Sequence, residues 1–254
     1  MIRYYGCYIF YCVYFSTVGP ILVPVFLLRP KNVINLRIAG TVLKHTTKLI
    51  GIRWVLRNKH IIEEERGAII VANHQSVFDV LGMLNIWNVM GKCTAIAKKE
   101  LLYIPPFGPV AWLAGLVYID RVNGKSAYKQ IIEASRLTRY EKTKLWFFPE
   151  GTRNRKGGGI LPFKKGAFRV AIECQAPIIP VVFSPYYFIN SKEKSFSRGE
   201  VIISTLEPVP TVGLTLNDLD PLMEQIHKLM SAKYSELQEE VSKFEDDSIY
   251  EKSM

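Results

Sequence analysis

From residue 52 onward, short apolar runs alternate with stretches in which apolar residues recur every three or four positions. Ile52–Leu56, Ala68–Ala72, Thr94–Ala97, Leu116–Ile119, Lys144–Phe148, Pro177–Phe183 and Val201–Leu206 read as strands, because short apolar runs bounded by turn residues suit buried strands. Helical spacing covers Val77–Trp87, a stretch over roughly 125–140, and Lys165–Cys174. A last amphipathic helix over about 215–240 sets Leu222, Ile226, Leu229, Met230, Lys233 and Leu237 roughly in line. Strands alternating with helices predict an α/β domain built on a mixed, mostly parallel sheet flanked by helices.

The chain before residue 52 follows another pattern. Tyr4–Leu28 carries no charge in 25 positions. As one helix it would be about 37 Å long, enough for the roughly 30 Å hydrocarbon core of a bilayer, and the run is too long for a cleavable signal peptide. Pro20 and Pro24 complicate a straight span, so two forms are open: a kinked single helix, or a hairpin dipping into one leaflet. Ile34, Ile38, Val42 and Leu49 continue at helical spacing with Arg37, Lys44 and Lys48 between them, which suits a helix near lipid headgroups or an ordinary domain helix. The expected division is a membrane-anchoring segment with a basic amphipathic helix over 1–50 and a folded domain over 51–254. Leu101–Ile119 is also uncharged over 19 residues, but Pro105, Pro106, Pro109 and its two glycines argue for loop and short helix, an apolar wall beside the bilayer.

Charge sharpens this division. The net charge is +10, and residues 29–59 hold eight Lys or Arg and no acid. A basic block directly after an apolar segment points to an anionic membrane surface rather than nucleic acid, with the following domain on the cytoplasmic side. The four cysteines, Cys7, Cys12, Cys93 and Cys174, form no CxxC pair, and they read as reduced thiols rather than a disulfide framework or metal site.

Candidate chemistry sits where predicted strands end. Asn73-His74-Gln75-Ser76-Val77-Phe78-Asp79 follows Ala68–Ala72. His74 and Asp79 cannot share a face of one continuous helix, being roughly 140° apart at about 100° per residue. They meet only if His74 precedes the helix and Asp79 lies in its first turn. Ser76 at the N-cap, with Asp79 three positions on, supplies that break as a capping box. The pair is then a general base with its orienting carboxylate, or a cap with a loop histidine beside it. Phe148-Pro149-Glu150-Gly151-Thr152-Arg153 follows another strand, where open α/β sheets bind ligands. Gly151 allows close backbone approach, Thr152 offers a hydroxyl and Arg153 a planar fork suited to phosphate; a surface turn with a Glu–Arg pair is the plainer alternative. Arg121 and Lys98 end two further strands and could add cations to a phosphate pocket.

Taken together, these stretches resemble the motifs of the glycerolipid acyltransferase superfamily. The heptad is similar to its Asn-His-x-x-x-x-Asp motif, Gly115-Leu116-Val117-Tyr118-Ile119-Asp120-Arg121 to its second, Phe148–Arg153 to its third and Ala176–Phe183 to its fourth, all in family order. Within it the chain looks most like the animal 1-acylglycerol-3-phosphate (lysophosphatidate) acyltransferases. The resemblance implies that His74 is the base, that Asp79 orients it, and that Glu150, Gly151, Thr152 and Arg153 bind the glycerol-phosphate acceptor. It implies transfer from acyl-CoA, as co-substrate, to the sn-2 hydroxyl of lysophosphatidate, in the endoplasmic reticulum membrane. No metal or other cofactor is expected, since a thioester is already activated. The alternatives are another acceptor, glycerol 3-phosphate or a different lysophospholipid, and a non-catalytic protein that binds anionic lipid through its basic block.

Overall fold

Three helices open the chain: α1 (Ile2–Leu27), α2 (Val33–Leu43) and α3 (Thr46–Ile50). The computed structural model describes residues 1–120, 124–155 and 157–253. Strands and helices then alternate as β1 (Ile52–Arg57), α4 (Lys59–Glu63), β2 (Ala68–Ala72), α5 (Asp79–Met90), β3 (Cys93–Lys98), α6 (Phe107–Leu113), β4 (Val117–Ile119), α7 (Gly124–Glu141), β5 (Lys144–Phe147), α8 (Gly166–Cys174) and β6 (Ile178–Phe183). A two-stranded hairpin, β7 (Ile189–Asn190) and β8 (Ser195–Phe196), leads to β9 (Gly199–Thr205) and the long α9 (Leu219–Ser253).

Among the described residues the main sheet has the order β1-β9-β6-β2-β5-β3-β4. Its pairs are parallel except β6 with β9, so the sheet is mixed and mostly parallel. β2 lies in the middle and is fully buried on both faces. Ala68, Ile70 and Ala72 face a core that includes residues of α1, α2 and α5, while Ile69 and Val71 face residues of α8 and α9. This is the two-residue alternation of a strand with helices on both sides, and each buried Ile or Val contributes about 1.5–3 kcal/mol relative to exposure. α5 approaches the sheet at Gly82, where a Cβ would come within 2.6 Å of both Phe183 and Trp54.

α1 is one helix that keeps Pro20 and Pro24 inside it; it is not a hairpin. Tyr4, Cys7, Tyr8, Tyr11, Phe15, Val18, Leu22 and Phe26 recur at helical spacing and rest on the domain. Ile2, Ile9, Val13, Ile21 and Val25 form an exposed stripe, and both prolines lie on that exposed side. The rings therefore do not obstruct the packed face. Tyr8 and Tyr11 lie against Phe78 of the His74 corner, with ring centroids 4.8 and 5.8 Å apart. The uncharged 101–119 stretch forms a short 3-10 helix, α6 and β4, and leaves Leu101, Tyr103, Ile104 and Trp112 exposed.

Three differences from the expected pattern have local causes. The 33–50 helix breaks at Lys44 and His45 into α2 and α3. In α9 the buried stripe is Leu222, Ile226, Met230, Tyr234, Leu237 and Val241, with Leu229 turned outward, because spacing by four drifts around the helix and carries Tyr234 inward. In the basic block Arg53, Arg57 and Lys59 pair with Glu200, Glu240 and Glu63. Among the described residues Arg29, Lys31, Arg37, Lys44 and Lys48 have no carboxylate partner.

Candidate active site

Three adjacent strands, β6, β2 and β5, deliver their carboxyl ends to one edge of the sheet. Past β2, Asn73 extends the pairing with β6 through its side chain: Nδ2 donates to the Phe183 carbonyl at 3.1 Å and Oδ1 accepts the Phe183 N–H at 2.8 Å. Gln75 Nε2 donates to the carbonyls of Phe183 and Ser184 at 3.3 and 3.0 Å, and Gln75 Oε1 accepts from Tyr234 of α9 at 3.2 Å. His74 is held between these two fixed amides.

Regular helix begins at Asp79, after a turn at Val77 and Phe78. Only one half of the expected capping box forms: Asp79 Oδ2 accepts the Ser76 N–H at 2.9 Å, but Ser76 Oγ accepts the Phe78 N–H at 3.3 Å, and the Asp79 N–H turns to the Ser76 carbonyl at 3.4 Å. The same Oδ2 accepts the Gln75 N–H at 2.6 Å and lies 2.6 Å from His74 Nδ1. Oδ1 accepts the Tyr186 hydroxyl at 2.7 Å. Asp79 is fully buried, and these four contacts satisfy both of its oxygens away from water. Burial pushes the Tyr186 phenol well above its ordinary value, with the Asp79 charge adding to the shift, so Tyr186 stays protonated and donates. The imidazole stacks on Phe148, centroids 4.1 Å apart and planes 19° from parallel. Among the described residues His74 Nε2 has no hydrogen-bond partner.

The loop after β5 closes over the peptide of His74. Glu150 Oε1 accepts the His74 N–H at 2.5 Å, Glu150 Oε2 accepts the Leu161 N–H at 3.0 Å, and the Asn154 N–H donates to the His74 carbonyl at 2.7 Å. Glu150 is 3% exposed, and both of its oxygens are turned inward onto main chain rather than into the cleft. Burial pushes its carboxyl up to about 7, against the two N–H groups that hold it down. Beyond it Gly151 takes a φ of 72°, open to glycine, and turns the chain outward. Gly151 and Thr152 are exposed and Arg153 half-buried.

A cleft of about 640 Å³ opens here, lined in part by Gln75, Ser76, Arg153, Arg155, Tyr186 and Tyr234. The structure does not bring Lys98 to it: that lysine is half exposed and paired with Glu100 at 3.3 Å. Arg121 lies outside the described residues. Among the described residues no group of three His, Cys, Asp or Glu is placed to hold a metal. Phe148 stood within the quoted motif without a role. Tyr186 was missed because nothing in the sequence near it marks it; it reaches Asp79 only because β6 is next to β2.

A histidine with one ring nitrogen engaged by a buried carboxylate and the other open, beside a loop bearing cations, can move a proton next to an anionic group. That is the class of site the fold defines. The Acyltransferase family model matches residues 53–184. Over 236 residues the chain is 36% identical to human 1-acyl-sn-glycerol-3-phosphate acyltransferase alpha, covering 92% of this chain and 82% of that protein. It is equally similar to the human beta form, at 36% over 235 residues, covering 91% and 84%. Its fold matches the crystal structure of the 1-acyl-sn-glycerophosphate acyltransferase PlsC from Thermotoga maritima with a TM-score of 0.74 and 24% identity, over 93% of this chain and 95% of that one. The chain belongs to the acyltransferase family.

Proposed function

We propose that the chain transfers an acyl group from acyl-CoA to the sn-2 hydroxyl of 1-acylglycerol 3-phosphate, giving phosphatidate and free CoA. The observation that carries this reading is the 2.6 Å contact between His74 Nδ1 and Asp79 Oδ2. It fixes the tautomer with the proton on Nδ1 and leaves the Nε2 lone pair to accept one. Nε2 takes the proton from the attacking hydroxyl as its oxygen bonds to the thioester carbonyl carbon. The C–S bond then breaks, and the imidazolium returns the proton to the thiolate. The thioester is an activated donor, so this route needs no enzyme nucleophile. Gly151, Thr152 and Arg153 hold the acceptor's phosphomonoester, and Glu150 acts behind them by fixing the His74 peptide.

An apolar pocket of about 90 Å³ between α1, α2, α5 and α6, lined by Phe15, Leu22, Phe26, Met83, Trp87 and Val110 among others, has room for a few methylene groups of an acyl tail, the rest of which would lie outside it. The exposed stripe of α1 and the exposed Leu101, Tyr103, Ile104 and Trp112 enter one leaflet. A helix resting on its own domain along its length cannot be surrounded by lipid. The unpaired cations from Arg29 to Lys48 suit the anionic cytosolic leaflet and support a catalytic face turned to the cytosol; the endoplasmic reticulum is the membrane this reading assigns. Flotation with anionic liposomes tests the attachment: Ile9→Glu/Val13→Glu/Ile21→Glu should leave the membrane fraction, and retention would refute it.

An acceptor panel with purified protein and oleoyl-CoA tests the reaction. Lysophosphatidate should give the highest kcat/KM, and His74→Ala should reduce it by about 10²–10⁴. Preference for glycerol 3-phosphate or another lysophospholipid would reassign the acceptor, and full turnover by His74→Ala would end the mechanism.

A further inference from the structure

The cleft that carries Arg153 extends past it. Its outer arm runs between the first turns of α1 and the β7–β8 hairpin, with Tyr4, Tyr5, Tyr8, Ile189, Ser191 and Lys194 as walls. At about 640 Å³ the whole cleft falls in the range of roughly 300–1,000 Å³ that holds a complete drug-sized ligand. A phosphoglycerol headgroup fills only a fraction of that.

We propose that this outer arm binds the nucleotide end of the acyl donor, the phosphorylated ADP of CoA, with Lys194 facing its phosphates and the tyrosine wall its adenine. The proposal rests on the acyl-CoA reading above. Its first support is the charge of the lining. Among the described residues no lining side chain of the cleft is an acid, and three are cations, Arg153, Arg155 and Lys194. Two anionic substrates must be held at once, and their phosphates lie at different distances from the reacting atoms. The acceptor's phosphate is a few bonds from the attacking hydroxyl, so it belongs at Arg153, whose neighbour Asn154 is bonded to the His74 carbonyl. The donor's phosphates lie at the far end of the pantetheine arm, so they belong at a cation outside the loop that holds the acceptor, and Lys194, in the β7–β8 turn, is the lining cation on another element.

The arm is also built rather than incidental. Tyr4 and Tyr5 have centroids 5.4 Å apart, and Tyr4 and Tyr8 5.0 Å apart. Tyr4 is buried behind Lys194, and Tyr5, 48% exposed, is the ring of this wall with a face open for a base to stack on. The Tyr4 hydroxyl donates to Ser191 Oγ at 3.4 Å and so joins helix to hairpin. Lys194 has a φ of 54°, a left-handed conformation that disfavours a lysine, and its ammonium lies 5.5 Å from the centre of the Tyr4 ring. Among the described residues it has no carboxylate partner, so an incoming phosphate need displace none.

The test compares Lys194→Glu with Lys192→Glu, an exposed hairpin lysine outside the cleft lining, in the detergent-solubilised full chain. Two readouts are needed: calorimetric binding of free CoA, and KM for oleoyl-CoA and for lysophosphatidate separately. Lys194→Glu should weaken CoA binding and raise the donor KM by about tenfold or more, as loss of one charge-assisted contact does. It should leave the lysophosphatidate KM in place, and Lys192→Glu should move neither constant by more than about twofold. A rise in the lysophosphatidate KM alone would give the arm to the acceptor and overturn the proposal. Equal CoA binding by wild type and Lys194→Glu, or no CoA binding by the wild type, would also overturn it. CoA binding that depends on Lys194 without acylation of lysophosphatidate would instead overturn the acceptor reading and leave the donor arm standing.

Discussion

Two buried carboxylates flank His74, one at the start of α5 and one at the end of β5, and they do different work. Asp79 is fully buried, collects four donors and engages the imidazole itself. Glu150 is 3% exposed, collects two main-chain N–H groups and engages only the His74 peptide. Asp79 thus holds the ring itself, while Glu150 holds the peptide that carries it. An acid in a motif beside a cation invites a substrate-binding reading, but burial and the identity of the donors decide the matter. The difference predicts how each substitution should fail.

The largest effect belongs to Asp79→Asn, which keeps the shape but removes the charge that stabilises an imidazolium; kcat should fall by about 10²–10⁴ with KM for both substrates little changed. Glu150→Gln should be milder, about 10- to 10²-fold, because one N–H keeps an acceptor while the amide NH₂ meets the other. Its loss should appear in the lysophosphatidate KM as well as in kcat, since Arg153 is carried on the same loop. A kcat loss as deep as that of Asp79→Asn, with KM unmoved, would erase the distinction. Tyr186→Phe removes one of four donors to a carboxylate that keeps the rest, and about three- to tenfold in kcat is expected.

The smallest test is thermodynamic. A Glu150 carboxyl raised to about 7 when folded, against about 4.3 unfolded, binds a proton more tightly in the native state. Its stabilising contribution is therefore complete below about pH 4 and lost as pH rises through about 7, up to roughly 4 kcal/mol in all. Glu150→Gln lacks this slope. Its melting temperature relative to wild type should rise between pH 5 and pH 8, and a parallel course would contradict the buried, proton-binding Glu150.

Much of this arrangement could be read from the chain because it is local. The His74–Asp79 meeting depends on a cap formed within seven residues, and the β2 and β5 strands are apolar runs with clear ends. Tyr186 could not be read, since its value to Asp79 comes from β6 lying beside β2, a pairing of residues 107 positions apart. The inward turn of Glu150 could not be read for the same reason: which way a strand-end carboxylate turns depends on a loop that doubles back to Leu161. Lys98 looked like a third cation, but β5 separates its strand from β2, and Glu100 neutralises it two residues on. The hairpin of β7 and β8 went unpredicted because two-residue strands leave no periodicity to find. The lie of α1 along the domain was partly visible, in the helical recurrence of its aromatic residues.

The central claim is that Asp79 contributes to turnover only through His74. Turnover of His74→Ala, Asp79→Asn and the double variant, measured on lysophosphatidate with oleoyl-CoA, tests it most directly. If the claim holds, the double variant is no slower than His74→Ala within about threefold, because the carboxylate has no ring left to orient. Multiplying losses, with the double variant slower than His74→Ala by the full Asp79→Asn factor, would show that Asp79 acts on the reaction independently of the histidine.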